Sequence, residues 1–486
     1  MNRLAQFSVI ADDLGNVFRF ISAATCIPII VSLIYGEWDM ILPMAAVPVI
    51  LFLLGTLLLQ FPENPREAKL SQALFSVALV WLVCALVGAI PFTLGLGMPY
   101  LDAVFESMSG WTDTGLTMIV DVDSTPYTLL FWRSLMQWLG GLGIVAFTIV
   151  MLSRTGMNPS RFYRSEGRSE AFMPSIVEQG LSMWKIYLIL TFASILFILL
   201  SGVPVWDAVN IAMVAIATGG FSVHTEGIPY YNNALLEMLI IPVMIAGALP
   251  FKIYYLSFYK RKLSFFRDEQ PWLLFFLVIL GFIVITSDLL IFNGLEGVDA
   301  VRQGIFMAVA GVTSTGFQVS SPNTWAHVTV LFLVLLIFIG GSSGSTSGGI
   351  KLSRVALAYR GILWWFRRIF VSGKAVVPFR LAGKTVPKAE AEAEVSRNML
   401  IILLYFMVIF FSAITIMHFE SPTVDTSNVI FEIVTASCNN GISTGFAGPD
   451  LTPYSKVAFI FVMWIGRLEV LPVIVFFMAI FRGLDK

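Results

Sequence analysis

The sequence predicts an all-α polytopic membrane protein. Four repeats of helix, pore loop and helix would surround a pseudo-fourfold axis, after two extra N-terminal transmembrane helices. Three observations predict this. Of 486 residues, 57% are hydrophobic and 13% charged, and the mean hydropathy is +0.84, which does not fit a soluble globular protein. Apolar runs near the ~20 residues that cross ~30 Å of hydrocarbon recur along the whole chain. A half-length apolar segment ending in a small polar turn with Gly appears four times, at intervals of about 100 residues.

The elements follow in order. Spans at 16–36 and 40–60, joined by a turn with Glu37, Trp38 and Asp39, form an N-terminal two-helix domain over 1–70 that has no later counterpart. Repeat 1 (71–153) has spans at 71–94 and 126–152 around a pore loop at 101–119. Repeat 2 (180–260) has 182–203 and 229–258 around 206–224. Repeat 3 (270–363) has 271–293 and 323–363 around 301–320, and glycines at 340–350 break its second span. Repeat 4 (396–486) sets 427–446 between 396–419 and 453–482. Ten spanning helices are expected.

A net charge of -1 conceals a sorted distribution. The linkers between repeats are basic: Arg154, Arg161, Arg164 and Arg168, then Lys260, Arg261, Lys262 and Arg267, then Arg367, Arg368, Lys374, Arg380, Lys384 and Lys388. From Leu94 to Leu130 there is no Lys or Arg, only Asp102, Glu106, Asp113, Asp121 and Asp123, and repeat 2 carries Asp207 and Glu226 there. Arg302 and Lys456 are the exceptions. The positive-inside rule puts the linkers and both termini in the cytoplasm and the four turns outside. All repeats then share one orientation, which excludes inverted repeats.

Several chemistries find no support. Cys26, Cys84 and Cys438 lack a CxxC spacing, and His224, His327 and His418 stand apart from one another. No Walker or Rossmann fingerprint occurs. The expectation is a protein that is not an enzyme, needs no cofactor and binds no nucleic acid.

The four turns share a frame. Phe105, Phe306 and Phe431 stand ten residues before Gly115, Gly316 and Gly441, while repeat 2 has Asn210 ten before Gly220. Asp102 and Asp207 each precede their Gly by thirteen residues, which favours Gly220 over Gly219. Gly445 rivals Gly441, and Phe431 favours Gly441. Irregular backbone at membrane depth is tolerated only where protein buries it or a wet cavity adjoins it. Glycine permits the left-handed backbone such a turn needs. Rings of carbonyls can replace the hydration shell of a monovalent cation, and the short helices would aim their negative ends at it. Small residues also simply pack helices, but a fourfold repetition favours a pore.

A second stretch, Gly340-Gly341-Ser342-Ser343-Gly344-Ser345-Thr346-Ser347-Gly348-Gly349-Ile350-Lys351, cannot remain a regular helix. It begins 24 residues after Gly316, while Gly140, Ala246 and Gly466 stand 25, 26 and 25 residues after their turn glycines, so one depth is marked in all four repeats. The stretch reads as a gate or as a hinge. Arg467 lies at this depth; it either projects charge into the cavity or pairs with Glu469 or loop carbonyls. Arg133 reads as snorkelling or paired, and Lys351 as a loop anchor or a helix start.

Over about 71–486 these motifs resemble the Trk/Ktr/HKT superfamily of potassium transport proteins, and the two extra N-terminal spans are similar to its TrkH branch. The resemblance implies a selectivity filter in which the backbone carbonyls of Thr114, Gly115, Gly219, Gly220, Thr315, Gly316, Asn440 and Gly441 bind potassium, the transported ligand. It implies a gate of Gly340, Gly341, Ser343, Gly344, Ser345, Thr346, Gly348 and Gly349, with Arg467 as an electrostatic barrier. It further implies a homodimer in the lipid bilayer of the cytoplasmic (inner) membrane, and a cytosolic TrkA-like nucleotide-binding ring docked on the basic linkers. One departure is Ile442 after Gly441, where TrkH proteins commonly have Pro-Gly. The alternatives are a Ktr-like sodium-dependent transporter, a sodium-permeable cation channel and, in another class, a polytopic membrane enzyme. Symport and channel-like flux are both compatible with these residues.

Overall fold

A computed structural model describes residues 3–61, 69–143, 176–259, 268–371, 377–381 and 384–483. The chain is an all-α polytopic membrane protein. Its strands, among the described residues, are one antiparallel hairpin of Phe379–Leu381 with Lys384–Val386. Arg154, Arg161, Arg164, Arg168, Lys260, Arg261, Lys262, Arg267 and Lys374 lie outside the described residues, as do both chain ends.

The N-terminal pair is built by close backbone approach. A Cβ on Gly55 of helix Trp38–Leu58 would lie 2.7 Å from the Gly15 carbonyl of helix Arg3–Ala24, and one on Gly15 would lie 2.9 Å from the Gly55 carbonyl. In lipid, where apolar burial gives little drive, such small-residue contacts let dispersion hold helices together.

Each repeat has a first helix, a short helix and a further helix lining the centre, here termed the inner helix. The first helices are Leu70–Gly88 continued by Ile90–Leu96, Ile176–Leu199, Glu269–Ile291 and Lys388–Phe419. The short helices are Tyr100–Trp111, Val205–Ala217, Gly297–Thr313 and Thr426–Ser437. Pro99 and Pro204 start the first two, and the Asp425 side chain caps the fourth by accepting from Ser427 N. Their inward ends are buried from Asp102 to Trp111 and from Phe306 to Thr313, so the short helices form the core rather than the lipid-facing wall.

Besides the expected break in repeat 3, further inner helices are bent. Among the described residues six helices are long and apolar enough to cross a membrane. The expected spans 229–258 and 453–482 are bent pairs: Ala234–Ala248 meets Phe251–Phe258 at 94°, and Pro453–Leu468 meets Leu471–Arg482 at 114°. Pro250 lacks the N–H that would continue the first of these, and Glu469 (φ 61°) and Val470 (φ 66°) reverse the backbone in the second. In repeat 3, His327–Ile339 and Leu352–Ile369 flank the expected break. In repeat 1, Tyr127–Leu142 ends at Gly143 (φ 85°), and the rest of the expected 126–152 span lies outside the described residues. The interruption is therefore present in repeats 2, 3 and 4, and in repeat 1 the described helix ends at the corresponding depth. It was legible in sequence only where Gly and Ser carry it.

Candidate functional site

The four short helices end in one backbone pattern. Gly115, Gly220, Gly316 and Gly441 have φ of 89°, 85°, 80° and 91°, and the residues two earlier, Asp113, Thr218, Ser314 and Asn439, have φ of 59°, 62°, 56° and 48°. Two left-handed residues so close together rotate the intervening peptides out of helical alignment.

The glycines form a closed ring. A Cβ on Gly115 would lie 2.5 Å from the Gly219 carbonyl oxygen, and one on Gly220 2.8 Å from that of Thr315. A Cβ on Gly316 would collide with the Asn440 carbonyl oxygen, and one on Gly441 with that of Thr114, which returns to the first repeat. Gly445, also at positive φ, has nothing within 4 Å of its Cβ position and stands outside the ring. Thr114, Gly219, Thr315 and Asn440 thus present carbonyls at one level, each against the bare face of a neighbouring repeat's glycine.

Polar side chains hold this backbone from behind. Thr112 and Thr114 hydroxyls lie 2.8 Å apart, and Thr313 and Thr315 repeat the arrangement at 2.7 Å. Gln137 donates its amide to the Gly219 carbonyl at 2.5 Å and accepts from Phe221 N at 3.1 Å. Asn439 Nδ2 donates to Thr114 Oγ1 at 2.9 Å, and Asn440 Nδ2 to the Ala310 carbonyl at 3.1 Å, each crossing to a neighbouring repeat.

A carboxylate clamp appears twice in the same register. Glu106, nine residues before Gly115, accepts from Met118 N at 2.7 Å and from the Thr117 hydroxyl, and Glu432, nine before Gly441, accepts from Thr444 N at 2.7 Å and from Ser443 Oγ at 2.6 Å. Arg133 Nε pairs with Glu106 at 2.7 Å, its Nη1 donates to the Ser222 carbonyl at 2.7 Å, and it stacks 4.0 Å from the Phe221 ring. Arg133 is therefore buried and paired rather than snorkelling.

Between repeats, on the loop side, Lys456 pairs with Asp102 at 2.6 Å and Arg302 with Glu237 at 3.3 Å. His224 lies 2.6 Å from Asp123 and 3.5 Å from Asp207. The hydrogen bond from His224, helped by Thr225, holds the Asp123 carboxyl below the ordinary Asp range.

The predicted gate residues Gly340, Gly341, Ser343, Gly344, Ser345, Thr346, Gly348 and Gly349 lie on the next layer, with helix-like bonding replaced by contacts to repeat 2 and to the first helix of repeat 3. Ser342 N donates to the Ala248 carbonyl at 3.1 Å, Phe251 N to the Gly344 carbonyl at 3.0 Å, and Ser343 N to Gln270 Oε1 at 2.7 Å. Thr346 Oγ1 donates toward the Ile216 and Gly247 carbonyls at 3.0 and 2.9 Å, and a Cβ on Gly348 would strike the Cys438 carbonyl. Orphaned groups at the Pro250 break and in the loop thus satisfy one another. Lys351 (φ 84°) donates Nζ to the Ser347 carbonyl, anchoring the end of the loop.

Arg467 closes this layer. Its guanidinium donates to the carbonyls of Gly140, of Gly141 at 2.9 Å and of Thr346 at 3.2 Å, and lies 3.6 Å from Asp113. Glu469 pairs with Arg354. The guanidinium therefore ties the end of the first inner helix to the loop. Loop residues 343–349, Asn439, Gly466 and Arg467 line a cavity of about 40 Å³, room for only a few waters.

The shared depth marked by Gly140 and Gly466 has its cause in helix packing. A Cβ there would strike the carbonyls of Trp111 and Ser437, each four residues before its ring glycine, and Gly247, next to Ala246, meets Ile216 O likewise at 2.6 Å. These positions let inner helices touch the short-helix ends; the backbone breaks come a few residues later. Sequence reasoning missed Asp113, Gln137 and the Glu106–Arg133 pair. Only Glu106 carried a readable signal, through its register with Glu432.

Comparison with known proteins extends this geometry. The profile of TrkH, described as cation transport protein, matches residues 44–482. An uncharacterized cation transporter of Methanocaldococcus jannaschii is 31% identical over 96% of this chain and 94% of its own. The Trk system potassium uptake protein TrkH of Halomonas elongata is 30% identical over 96% and 98%, and that of Escherichia coli K12 is 29% identical over 86% and 87%. The crystal structure of the potassium transporter TrkH from Vibrio parahaemolyticus shares the fold, with a TM-score of 0.86, 24% identity, and coverage of 99% of this chain and 100% of that one. With the profile spanning nearly the whole chain, and relatives at 30% identity or above aligned along almost their full length, the chain belongs to the TrkH family of cation transport proteins.

Proposed function

We propose that this chain is the membrane subunit of a potassium uptake system, passing potassium down its electrochemical gradient through the four-glycine ring. The observation that carries the reading is the closed cycle Gly115, Gly220, Gly316, Gly441, in which each glycine's bare face meets a carbonyl of the next repeat. Carbonyls gathered at one level can replace a hydration shell, and the buried helix ends behind them disfavour anions. Potassium is the ion named for the relatives in Halomonas elongata and Escherichia coli. A membrane potential of 100 mV supplies about 2.3 kcal/mol per charge, enough to accumulate the ion without chemical coupling.

The loop 340–350 with Arg467 is the gate in this reading. Its supports are the position of the loop one layer from the ring and the guanidinium that ties it to Gly140 and Gly141. The site belongs in the cytoplasmic membrane as a homodimer, with a cytosolic nucleotide-binding ring on the basic side, where exposed Arg367 lies in the last turn of the amphipathic helix Leu352–Ile369.

The test is growth of a potassium-transport-deficient host at limiting potassium, expressing this chain with and without a cytosolic ring protein. Growth rescued by this chain supports the reading. No rescue in either condition, with the protein present in the membrane, counts against it.

A further inference from the structure

We infer that Asp113 is a cation site between the ring and the gate, paired with Arg467 while the gate is shut and with the transported cation once it opens. The inference deepens the proposed potassium pathway and rests on it. Asp113 stands two residues before Gly115 and is 1% exposed. Neither of its carboxylate oxygens receives a hydrogen bond, and its ion-pair partner among the described residues is Arg467 Nη2 at 3.6 Å. A carboxylate buried without donors is costly unless a cation stays beside it.

Its position joins the two layers. A Cβ on Gly219, whose carbonyl belongs to the ring, would lie 2.7 Å from Asp113 Oδ1, and one on Gly141, whose carbonyl Arg467 takes, would lie 2.7 Å from Oδ2. The equivalent positions in the other repeats hold Thr218, Ser314 and Asn439, so the charge belongs to repeat 1 alone. Ser314 Oγ and Asn439 Oδ1 are likewise buried without hydrogen bonds, so three of these four side chains offer oxygens unclaimed by the protein. Oxygen donors of this kind suit a hard monovalent cation.

A shut gate satisfies Asp113 with the guanidinium. When Arg467 leaves, the carboxylate needs another positive charge, and an ion that has just passed the ring is the nearest source. Because the ion binds the open arrangement better than the shut one, its presence favours opening. A mere anchor for Arg467 would lose all influence on cation dependence once Arg467 is gone.

The experiment reads initial rubidium uptake against rubidium concentration in liposomes carrying the full chain. It compares wild type, Arg467→Ala, and Arg467→Ala combined with Asp113→Asn or with Asp113→Ser. Both replacements suit the left-handed backbone, since Asn439 and Ser314 already occupy it. In the Arg467→Ala background each should raise the half-saturating rubidium concentration about fivefold or more, with a smaller change in maximal rate. Unchanged half-saturation would overturn the proposal while leaving the pathway intact. Flux abolished in both double variants, with normal size-exclusion profiles, would also overturn it by making Asp113 structural. Wild type and Arg467→Ala both failing to carry rubidium would sink the pathway reading itself, and this inference with it.

Discussion

At the scale of single residues, the ring glycines act through what they lack. Gly316 combines a φ of 80° with a Cβ position that collides with the Asn440 carbonyl, so any side chain there strains the backbone and pushes a ring carbonyl outward. Left-handed backbone in a residue other than glycine costs about 1–3 kcal/mol. Gly316→Ser should therefore lower rubidium over sodium preference about tenfold, read by paired flux assays; unaltered preference would remove Gly316 from the filter. The Glu106–Arg133 pair makes a separate forecast. Removing one partner of a buried pair costs about 3–5 kcal/mol, while replacing both costs less. Arg133→Met should thus lower the unfolding temperature in detergent more than Arg133→Met combined with Glu106→Gln. The glycines were legible because four copies share a frame; Asp113 was not, because its charge gains meaning only when Arg467, 354 residues later, lies beside it.

At the scale of elements, the inner helices carry the least readable feature of the chain. The Gly/Ser stretch at 340–350 announces a break, since glycine weakens a helix by about 1 kcal/mol per residue. Leu249-Pro250 and Glu469-Val470 sit in otherwise apolar runs, and their reversals depend on distant partners: Phe251 N donates to the Gly344 carbonyl in one, and the Glu469 carboxylate pairs with Arg354 in the other. Periodicity sees neither contact. Deleting Gly344 to Gly348, or changing Arg467 to Ala, should raise rubidium flux measured without a cytosolic partner. Flux at its original level in both would refute the gate. Gly466→Ala tests the packing reading, because the new methyl meets the Ser437 carbonyl. Overpacking of this kind costs about 1–3 kcal/mol, so a lowered unfolding temperature is expected, and an unchanged one would contradict the contact.

At the scale of the whole molecule, four similar units are closed by contacts that are not similar. Lys456 to Asp102 joins the last repeat to the first, Arg302 to Glu237 joins the third to the second, and His224 bridges Asp123 and Asp207 between the first two. The backbone pattern at the ring is nonetheless the same in every repeat, which is why repetition in sequence gave the architecture while pairwise chemistry stayed hidden. The central claim is that this ring conducts potassium selectively. Its most direct test is rubidium and sodium flux, measured side by side in vesicles holding the purified wild-type chain under an inside-negative potential. The account predicts rubidium accumulation with sodium passing far more slowly. Sodium passing as readily as rubidium, or neither ion passing even after Arg467→Ala, would contradict it.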